Sequence, residues 1–353
     1  MKLAILADVH FGVRNENPTL LKATERFFTD QFFPYLDQHN IKTIINCGDL
    51  LDRRKYINYL TYKSIIESFI KPMKERGIEV HSILGNHDVF YRTSNELNSI
   101  RLIFDKEDSW FHVYEHPTNL ELGGKKFGMV SWLSQDNNDE MRAFIKTTDA
   151  DMLIAHFELA GFDSQVGITM KEGMNIGDLR LDRFARILCG HYHHRQQKGN
   201  IFYLGQPHEH TWADYNDPKG FHVYDTETDE LTFIKNDDRL FCKIQYDSEK
   251  NDYRQITKES LEKYCGKFVK VEIVNNGDQA VLEGFLEKLA SINPEKYTVA
   301  DNTTLIESEV DLTGDENALV LIHQHIEETT KNKEIQDHLK TLMGELWKEA
   351  NTE

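Results

Sequence analysis

The sequence predicts an α/β fold in which sheets form the middle of the molecule and helices cover them. Short β-rich runs alternate with longer helical stretches through about the first 90 residues. Further along the chain, strand-like runs follow one another with fewer helices between them. Strands that first alternate with helices and then follow one another are typical of an α/β or α+β sandwich.

Each element of this fold has its own signal. The runs "KLAILAD", "KTIINCGD" and "EVHSILGNHD" predict the first three strands. Helical stretches from about Thr19 to His39 and from about Asn58 to Arg76 separate them. Later runs have the same strand-like composition, and they are "KFGMVSWL", "DMLIAHFE", "FARILCGH", "NIFYLG", "FHVYDTET" and "LTFIKN".

The character of the chain changes beyond about Asn236. A polar stretch, "YDSEKNDYRQITKES", is typical of a connector, and "KFVKVEIV", a helix near Asp278 to Ser291 and "KYTVAD" predict a small βαβ-type domain. The last 35 or so residues have a helical pattern with an apolar stripe of Ile335, Leu339, Leu342, Met343 and Leu346. The 353 residues therefore divide into predicted regions 1–235, 236–305 and 306–353.

Charge is distributed unevenly along the chain. The formal net charge of −18 argues against a protein that holds nucleic acid by bulk attraction, since phosphate binding normally recruits clustered Lys and Arg. Residues 1–100 nevertheless carry 13 Lys and Arg against 12 Asp and Glu, whereas residues 301–353 carry 4 against 13. Any site for a polyanion is therefore expected in the N-terminal part.

The composition also bounds the cellular setting. No apolar run approaches the roughly 18 to 20 residues that a membrane span needs, so we expect a soluble intracellular protein. The four cysteines are scattered without a CxxC pair, which suggests neither a disulfide framework nor a thiolate zinc site.

Polar side chains follow five of the predicted strands at the point where each strand ends. Ligands of open α/β sheets gather at the carboxyl ends of strands, so these groups are expected to converge on one rim. Alternation along an extended backbone would put Asp8 and His10 on one side, and likewise His191 and His193, with His194 facing away. The candidate metal ligands are Asp8, His10, Asp49, Asn86, His156, His191 and His193.

This set combines carboxylate and amide oxygens with imidazole nitrogens and contains no sulfur. Such ligands suit manganese, iron or zinc better than calcium, and a central carboxylate could bridge two ions. Taken singly, "DVH" also fits an ordinary strand end, "GNHD" an Asn/Asp turn and "GHYHH" a solvated loop. Their joint occurrence, each at a strand exit, favours a metal centre.

The series Asp-x-His, Gly-Asp-x-x-Asp, Gly-Asn-His-Asp, an isolated His and Gly-His-x-His resembles the signature of the calcineurin-like metallophosphoesterases over residues 1–235. The resemblance implies a two-sheet sandwich flanked by helices and two divalent ions. One ion would be held by Asp8, His10, Asp49 and His193, and the second by Asp49, Asn86, His156 and His191. It also implies that His87 is the catalytic acid, oriented by Asp88.

Four stretches that include these motifs or follow them resemble the SbcD-type double-strand-break-repair nucleases, a group with phage-encoded members. They are "MKLAILADVHFGVR", "INCGDLLDRRK", "SILGNHDVFY" and "YLGQPHEHTWADYNDPKGFHVYDTETDELTFI". The resemblance implies a manganese-dependent DNA exonuclease and endonuclease, with Mg, Fe or Zn as other possible metals, in a bacterial or phage-infected cytoplasm. It also implies a DNA-capping domain at 236–305, a homodimer formed by helices near Asn58 to Arg76, and a C-terminal helical region that binds a coiled-coil ABC-type ATPase.

Two other functions stay open. One is a phosphodiesterase or phosphatase for small nucleotides or phosphoproteins, although the roughly 115 residues after the catalytic region favour the nuclease. The other is a scaffold that kept the fold and lost the chemistry, which the complete ligand set and His87 disfavour.

Basic side chains beside the predicted ligands are candidates for DNA phosphate contacts, which position a duplex without reading its sequence. They are Arg14, Arg53, Arg54, Lys55 and Arg92, each of which equally fits a charged residue that covers a helix start. Asp52 occupies a position where some nuclease relatives carry histidine, so no DNA-orienting histidine is expected there. His208 and His210 fit a loop as well as a site-lining role.

Overall fold

Two six-stranded sheets form the centre of the structure. The computed structural model describes residues 1–104 and 109–301 and, beyond them, only residues 333, 336, 339, 340 and 343. The strands within these ranges are β1 (Lys2–Leu6), β2 (Thr43–Asn46), β3 (Glu79–Ile83), β4 (Val89–Tyr91), β5 (Ser94–Asn98), β6 (Phe111–Tyr114), β7 (Thr118–Leu122), β8 (Lys125–Val130), β9 (Met152–His156), β10 (Asp163–Gln165), β11 (Ile168–Thr169), β12 (Arg186–Gly190), β13 (Gln196–Lys198), β14 (Ile201–Tyr203), β15 (Gly220–Asp225), β16 (Glu230–Lys235), β17 (Phe241–Asp247), β18 (Phe268–Asn275) and β19 (Lys296–Asp301).

Helices flank the sheets. The α-helices of the described ranges are α1 (Val13–Glu16), α2 (Pro18–Arg26), α3 (Phe33–Gln38), α4 (Tyr59–Ile65), α5 (Lys71–Arg76), α6 (Ser99–Ile103), α7 (Asn138–Thr147), α8 (Lys258–Leu261) and α9 (Gln279–Ser291). π-helical turns join α2 to α3 (Phe27–Phe32) and α4 to α5 (Ile66–Ile70), so the two predicted long helices each form one helical run. No helix within the described part of the chain is long and apolar enough to cross a membrane.

The order of the strands matches the expectation of parallel strands that alternate with helices. In the first sheet, β1, β2, β3 and β6 run parallel, and β15 and β16 extend it antiparallel in the order β16-β15-β1-β2-β3-β6. The second sheet has the order β13-β14-β12-β9-β8-β7, in which β14, β12, β9 and β8 are parallel. These directions bring the carboxyl ends of β1, β2 and β3 to one edge of their sheet, and those of β9 and β12 to one edge of theirs.

Apolar side chains of the two sheets face each other. Leu3 and Ile5 of the first sheet belong to the same buried cluster as Met129, Ile154 and Leu188 of the second. A second cluster, rich in phenylalanine, packs the helices onto the outer face of the first sheet. A third cluster covers the outer face of the second sheet. The predicted two-sheet sandwich flanked by helices is therefore confirmed.

The region after β16 contains a third sheet in the order β17-β18-β19. β17 pairs parallel with β18, and α9 buries Leu282, Phe285 and Leu289 against the sheet. The stretch predicted as a connector is partly structured, because β17 includes its first two residues and Tyr253 stacks on Tyr246 with ring centroids 4.0 Å apart. The stretch is mostly polar in sequence, but its two tyrosines, Tyr246 and Tyr253, pack in the local hydrophobic core.

Met1–Ala300 forms one compact unit. The boundaries at 235/236 and 305/306 stay predictions. The predicted terminal helix lies outside the described residues except for isolated positions, among which Leu339 and Met343 are helical.

Candidate dinuclear metal centre

The loops after β1, β2, β3, β9 and β12 bring the predicted metal ligands together. Potential ligand atoms of Asp8, His10 and His193 lie within 4.8 Å of one another. Those of Asp49, His156 and His191 form a second group of the same size. The structure thus divides these six side chains into the two sets that the motif implied, although their role as ligands stays a prediction.

The first set has its ring nitrogens and carboxylate turned inward. His10 Nε2 and His193 Nε2 are 3.1 Å apart, and both imidazoles are largely buried. Asp8 Oδ1 accepts a hydrogen bond from the His191 backbone amide at 2.8 Å. Asp8 Oδ2 is buried and has no hydrogen-bond partner among the described residues. A buried carboxylate oxygen without a partner is costly, so a cation there would satisfy it.

The second set is built around an amide oxygen. Asn86 Oδ1 lies 3.1 Å from His156 Nε2 and 2.9 Å from His191 Nδ1. His156 Nδ1 donates to the carbonyl oxygen of Cys47 at 2.8 Å, which fixes the ring so that Nε2 is the nitrogen that faces the position of a metal ion. Asn86 Oδ1, His156 Nε2 and His191 Nδ1 therefore lie close together, and a cation could be bound between them.

Asp49 lies between the two sets. Its Oδ2 is 3.7 Å from His10 Nε2 and 3.3 Å from His156 Nε2. Its Oδ1 accepts a hydrogen bond from the His87 amide at 2.7 Å, which fixes the carboxylate. This position, with one oxygen facing both sets, is the one that a bridging ligand requires.

The electrostatics of the centre are those of a cation site. Burial raises the pKa of Asp8 to about 6. Burial would lower the pKa of His156, but Asp49 and Asp8 outweigh it and raise this pKa to about 9. Burial lowers the pKa of His191 to about 3 and that of His193 well below its usual value, so both rings are neutral and can offer lone pairs. Buried carboxylates that draw a proton onto a neighbouring histidine would equally attract a metal cation.

The backbone of the centre is strained. Asp8, His10 and Asp49 have φ values of 53°, 51° and 53°, and His191 has 91°, in the left-handed region that such residues rarely adopt. The expectation that extended alternation aligns Asp8 with His10, and His191 with His193, is therefore wrong. These pairs are aligned by tight turns held by hydrogen bonds between loops, such as the Asp8 amide to the Gly48 carbonyl at 3.1 Å.

His87 lies at the rim of the centre. Its ring packs edge-on against His10 with centroids 4.8 Å apart, and its Nδ1 is 2.6 Å from the carbonyl oxygen of Asp52. Since a carbonyl can only accept, Nδ1 carries a proton and Nε2 is the atom that can face a substrate.

Asp88 is fully buried. It was expected to orient His87, but its hydrogen bonds are to backbone amides of two loops. Its carboxylate accepts hydrogen bonds from the amides of Gly85, Asp49, Leu50 and Leu51. Burial and the charge of Asp49 raise its pKa to about 7, against the effect of these amides. Asp88 thus joins the loop after β2 to the loop after β3, and the ring of His87 is held by Asp52.

The five basic candidates have different surroundings. Arg54 is close enough to Asp49 and Arg92 for their charges to act on its pKa, which burial lowers, and its Nε donates to the carbonyl of Val89 at 3.1 Å. Arg53 forms an ion pair with Glu16 at 2.9 Å. Lys55 is exposed, and Arg14 lines a groove of about 350 Å³. Arg54 is therefore close enough to Asp49 of the centre to feel its charge, while Arg53 is engaged by Glu16 of α1.

The structure gives contacts to three residues whose roles the sequence left open, namely Asp52, His208 and His210. Asp52 Oδ1 lies 3.5 Å from His10 Nδ1, in the position of a carboxylate that orients a ligand histidine. His210 is buried with its ring centroid 5.7 Å from that of His10, so the site-lining alternative is the right one for this residue. His208 bonds to Thr24 at 2.8 Å, and its ring packs against His210 with centroids 4.5 Å apart. The histidine content of "PHEH" was the only available signal.

Lys219 anchors the backbone of the last ligand loop. Its buried Nζ contacts Asp214 Oδ1 at 2.9 Å, Asp217 Oδ2 at 2.7 Å and the carbonyl oxygen of His193 at 2.9 Å. Asp217 in turn pairs with His194 Nδ1 at 3.0 Å, and the absence of a ligand role for His194 stays a prediction. The buried network fixes the backbone on which His193 stands.

We expect Lys219→Met to lower the free energy of unfolding by about 3 to 5 kcal/mol, because two buried carboxylates lose their cation. Urea denaturation followed by circular dichroism measures this change. The matched control is Lys235→Met, since Lys235 pairs with Asp237 at 2.7 Å but is 53% exposed, and its loss should cost less than about 1 kcal/mol. Equal effects of the two substitutions would contradict the assignment of Lys219 as an anchor.

The family profile of the calcineurin-like phosphoesterases matches residues 1–195, more than half of the chain. The chain belongs to the calcineurin-like phosphoesterase family. It is accordingly a hydrolase of the phosphoester-cleaving class, and the family uses divalent metals. The matched residues include all seven candidate ligands, from Asp8 to His193, together with His87.

Curated relatives of this phosphoesterase carry nuclease names. Exonuclease subunit 1 of Enterobacteria phage T4 is 30% identical over 262 residues, which is 74% of this chain and 76% of the relative. The SbcD component of the nuclease SbcCD from Staphylococcus epidermidis is 24% identical over 66% of this chain and 69% of its own length. A solved structure of an archaeal phosphodiesterase aligns with 67% of this chain and 100% of its own, at 13% identity and a TM-score of 0.33. The resemblance to SbcD-type nucleases is confirmed.

Proposed function

We propose that this phosphoesterase is a manganese-dependent DNA exonuclease and endonuclease that works with a coiled-coil ABC-type ATPase in double-strand-break repair and recombination. The observation that carries the proposal is the position of Asp49 between two ligand sets with His87 beside them. The two curated relatives with nuclease names support DNA as the substrate. The bacterial or phage-infected bacterial cytoplasm is the proposed location.

Two divalent ions fit the residues present. Asp8, His10 and His193 would hold one ion, Asn86, His156 and His191 the other, and Asp49 both. Oxygen and imidazole ligands without sulfur suit manganese and also allow magnesium, iron or zinc. When bound, such a pair of ions lowers the pKa of water and neutralises charge on the phosphate oxygens during in-line displacement.

The leaving oxygen needs a proton when the P–O bond breaks, and His87 is placed to supply it. The hydrogen bond from Nδ1 to the Asp52 carbonyl holds the ring and leaves Nε2 to face the substrate, so the doubly protonated imidazolium form of His87 would donate its proton from Nε2 and keep the one on Nδ1. The edge of His10 restricts the ring further. Donation from a held imidazole costs less reorganisation than donation from a free one.

DNA phosphates on either side of the cut would contact Arg54, Arg92 and Arg14. The groove that Arg14 lines also contains Lys296 and the rings of Trp212 and Phe241, a combination of cations and aromatic faces that suits a nucleic acid strand. Lys55 is a further candidate, and Arg53 would contact DNA only on release from its ion pair with Glu16. The net charge of −18 means that binding of long DNA depends on a basic partner.

The test uses the purified chain with manganese on end-labelled linear duplex DNA, with and without the ATPase partner. We expect release of nucleotides that a chelator abolishes. Bis-nitrophenyl phosphate, cyclic nucleotides and a phosphopeptide serve as competing substrates. Cleavage of these small esters without any cleavage of DNA would overturn the nuclease proposal in favour of a small-substrate phosphodiesterase or phosphatase.

The predicted C-terminal helical region, residues 306–353, would bind the ATPase. Its apolar stripe is the kind of surface that lies against a coiled coil. Deletion of residues 315–353 is expected to abolish co-purification with the ATPase and to leave hydrolysis of bis-nitrophenyl phosphate within about twofold. Loss of both would mean that this region belongs to the catalytic fold.

A homodimer within a heterotetramer would form through the start of α4. Tyr59 and Leu60 are 92% and 61% exposed, and Tyr56 and Tyr62 beside them are exposed as well. Together they form an exposed apolar patch of the kind that marks protein–protein interfaces. We expect Leu60→Asp to convert a dimer to a monomer in analytical ultracentrifugation. Lys63→Asp on the same helix is the matched control, and a dimer that survives Leu60→Asp would place the interface elsewhere.

A further inference from the structure

A second cluster of potential ligands lies at the far end of β3 from the dinuclear centre. Glu79 and His81 are the first and third residues of β3, whereas Asn86 and His87 follow its last residue. His112 of the neighbouring strand β6 is the direct register partner of His81. The ligand atoms of Glu79, His81 and His112 lie within 4.8 Å of one another, and none of the three takes part in the dinuclear centre.

The geometry of the cluster suits a single ion. Glu79 Oε1 is 2.8 Å from His112 Nε2 and 3.6 Å from His81 Nε2. Two ligands of a tetrahedral zinc ion, each at roughly 2.0 to 2.1 Å, are separated by about 3.3 Å, a value that these two distances bracket. The two imidazole rings stack with centroids 4.9 Å apart, and the Nε2 atoms of both lie within 3.6 Å of the same carboxylate oxygen of Glu79.

His81 has a buried ring nitrogen without a hydrogen-bond partner among the described residues. This nitrogen is Nε2, and the side chain is only 4% exposed. Its Nδ1 lies 2.8 Å from the hydroxyl of Tyr114, a contact that can hold the proton on Nδ1 and leave the lone pair on Nε2. A buried ring nitrogen aimed at a carboxylate beyond hydrogen-bond distance is an unsatisfied group that a metal would satisfy.

We propose that Glu79, His81 and His112 form a mononuclear site for a divalent transition metal of the zinc type. Two imidazoles and one carboxylate are a known zinc ligand set, with a fourth position left for water or another ligand. Glu79 and His112 are 48% and 37% exposed, so an ion has access from solvent. Tyr114 acts as a positioning residue that orients His81.

The alternative is an ion pair between Glu79 and His112 with His81 beside it. An ion pair would not depend on Tyr114 and would not bind zinc. The chain provides a matched example of such a pair, because His116 contacts Glu140 at 3.1 Å and lies at a site without a third ligand among the described residues.

The test counts zinc ions on the full chain after gel filtration, by mass spectrometry of the metal, and measures zinc affinity by calorimetry. We expect His112→Ala and Glu79→Gln each to bind one ion fewer per chain than the parent, and His116→Ala to bind as many as the parent. Tyr114→Phe is expected to lower the zinc affinity of the site formed by Glu79, His81 and His112 about 10- to 100-fold. His112 is partly exposed, so its replacement should leave the fold and the hydrolysis of a small ester unchanged.

Equal zinc counts for the parent, His112→Ala and His116→Ala would overturn the proposal and leave an ion pair only. An unchanged affinity in Tyr114→Phe would overturn the role of Tyr114. Zinc count and zinc affinity are measured without DNA. The outcome for this metal site is therefore independent of the outcome for the proposed nuclease activity.

Discussion

His87→Ala is expected to lower kcat for DNA cleavage by about 10²- to 10⁴-fold while the metal content of the protein stays the same. In the proposed arrangement His87 is the proton donor and belongs to neither ligand set, although its ring nitrogen also lies within 4.8 Å of ligand atoms of His10 and Asp49, so an unchanged metal content is part of the test. Its backbone amide, which fixes Asp49 Oδ1, is kept in the substitution. Single-turnover cleavage of end-labelled duplex at saturating manganese measures the rate of the chemical step, and metal analysis measures the content.

A substrate with a good leaving group sharpens this test. Nitrophenolate needs little protonation, so His87→Ala should lose much less activity on bis-nitrophenyl phosphate than on DNA. The matched control is His39→Ala, which removes another half-buried histidine, next to Tyr35 and remote from the ligand loops. If His87→Ala cut DNA at the parent rate, or if both substrates lost the same factor, His87 would not be the general acid.

The sequence was sufficient for the two-sheet architecture and for the convergence of the candidate ligands, but not for every strand of the sheets. Polar residues at strand ends identify the candidate ligands because the carboxyl ends of parallel strands share an edge, a rule that needs no knowledge of the loops. The conformations of the ligand loops could not be predicted from the sequence, and the left-handed backbone at Asp8 and His191 is an example. These angles are imposed by hydrogen bonds to loops that are distant in sequence, such as the bond from the His191 amide to Asp8.

The supporting contacts were beyond sequence reasoning for the same reason. Asp52 reaches His10 across 42 positions of the chain, and Lys219 reaches the carbonyl of His193 across 26. The cluster of Glu79, His81 and His112 depends on the parallel register of β3 and β6, and β6 was not among the predicted strands. Short strands such as β6 carry too few residues for a periodic signal, so a site that they complete becomes visible only in three dimensions.

Gly85→Ala is expected to weaken metal binding and to lower the rate of phosphodiester cleavage by about 100-fold or more. A Cβ at position 85 would lie 2.1 Å from Asp49 Oδ1 and 2.5 Å from the Asp49 amide nitrogen. Both atoms belong to a loop held by Asp88, so the methyl group cannot be accommodated by rotation of a free side chain. Displacement of a bridging carboxylate by about 1 Å is enough for a loss of this size. Manganese titration calorimetry and bis-nitrophenyl phosphate hydrolysis measure the two effects.

The matched control is Gly177→Ala, because a Cβ there meets nothing within 4 Å and neither glycine needs a left-handed backbone. It should bind manganese and hydrolyse the ester like the parent. Thermal unfolding of the metal-free proteins separates the causes: if Gly85→Ala only unfolded the loop, its stability would fall together with its activity. A folded Gly85→Ala protein that binds two ions with parent affinity would show that Asp49 is not the shared ligand, since its carboxylate cannot keep its present position beside that methyl group.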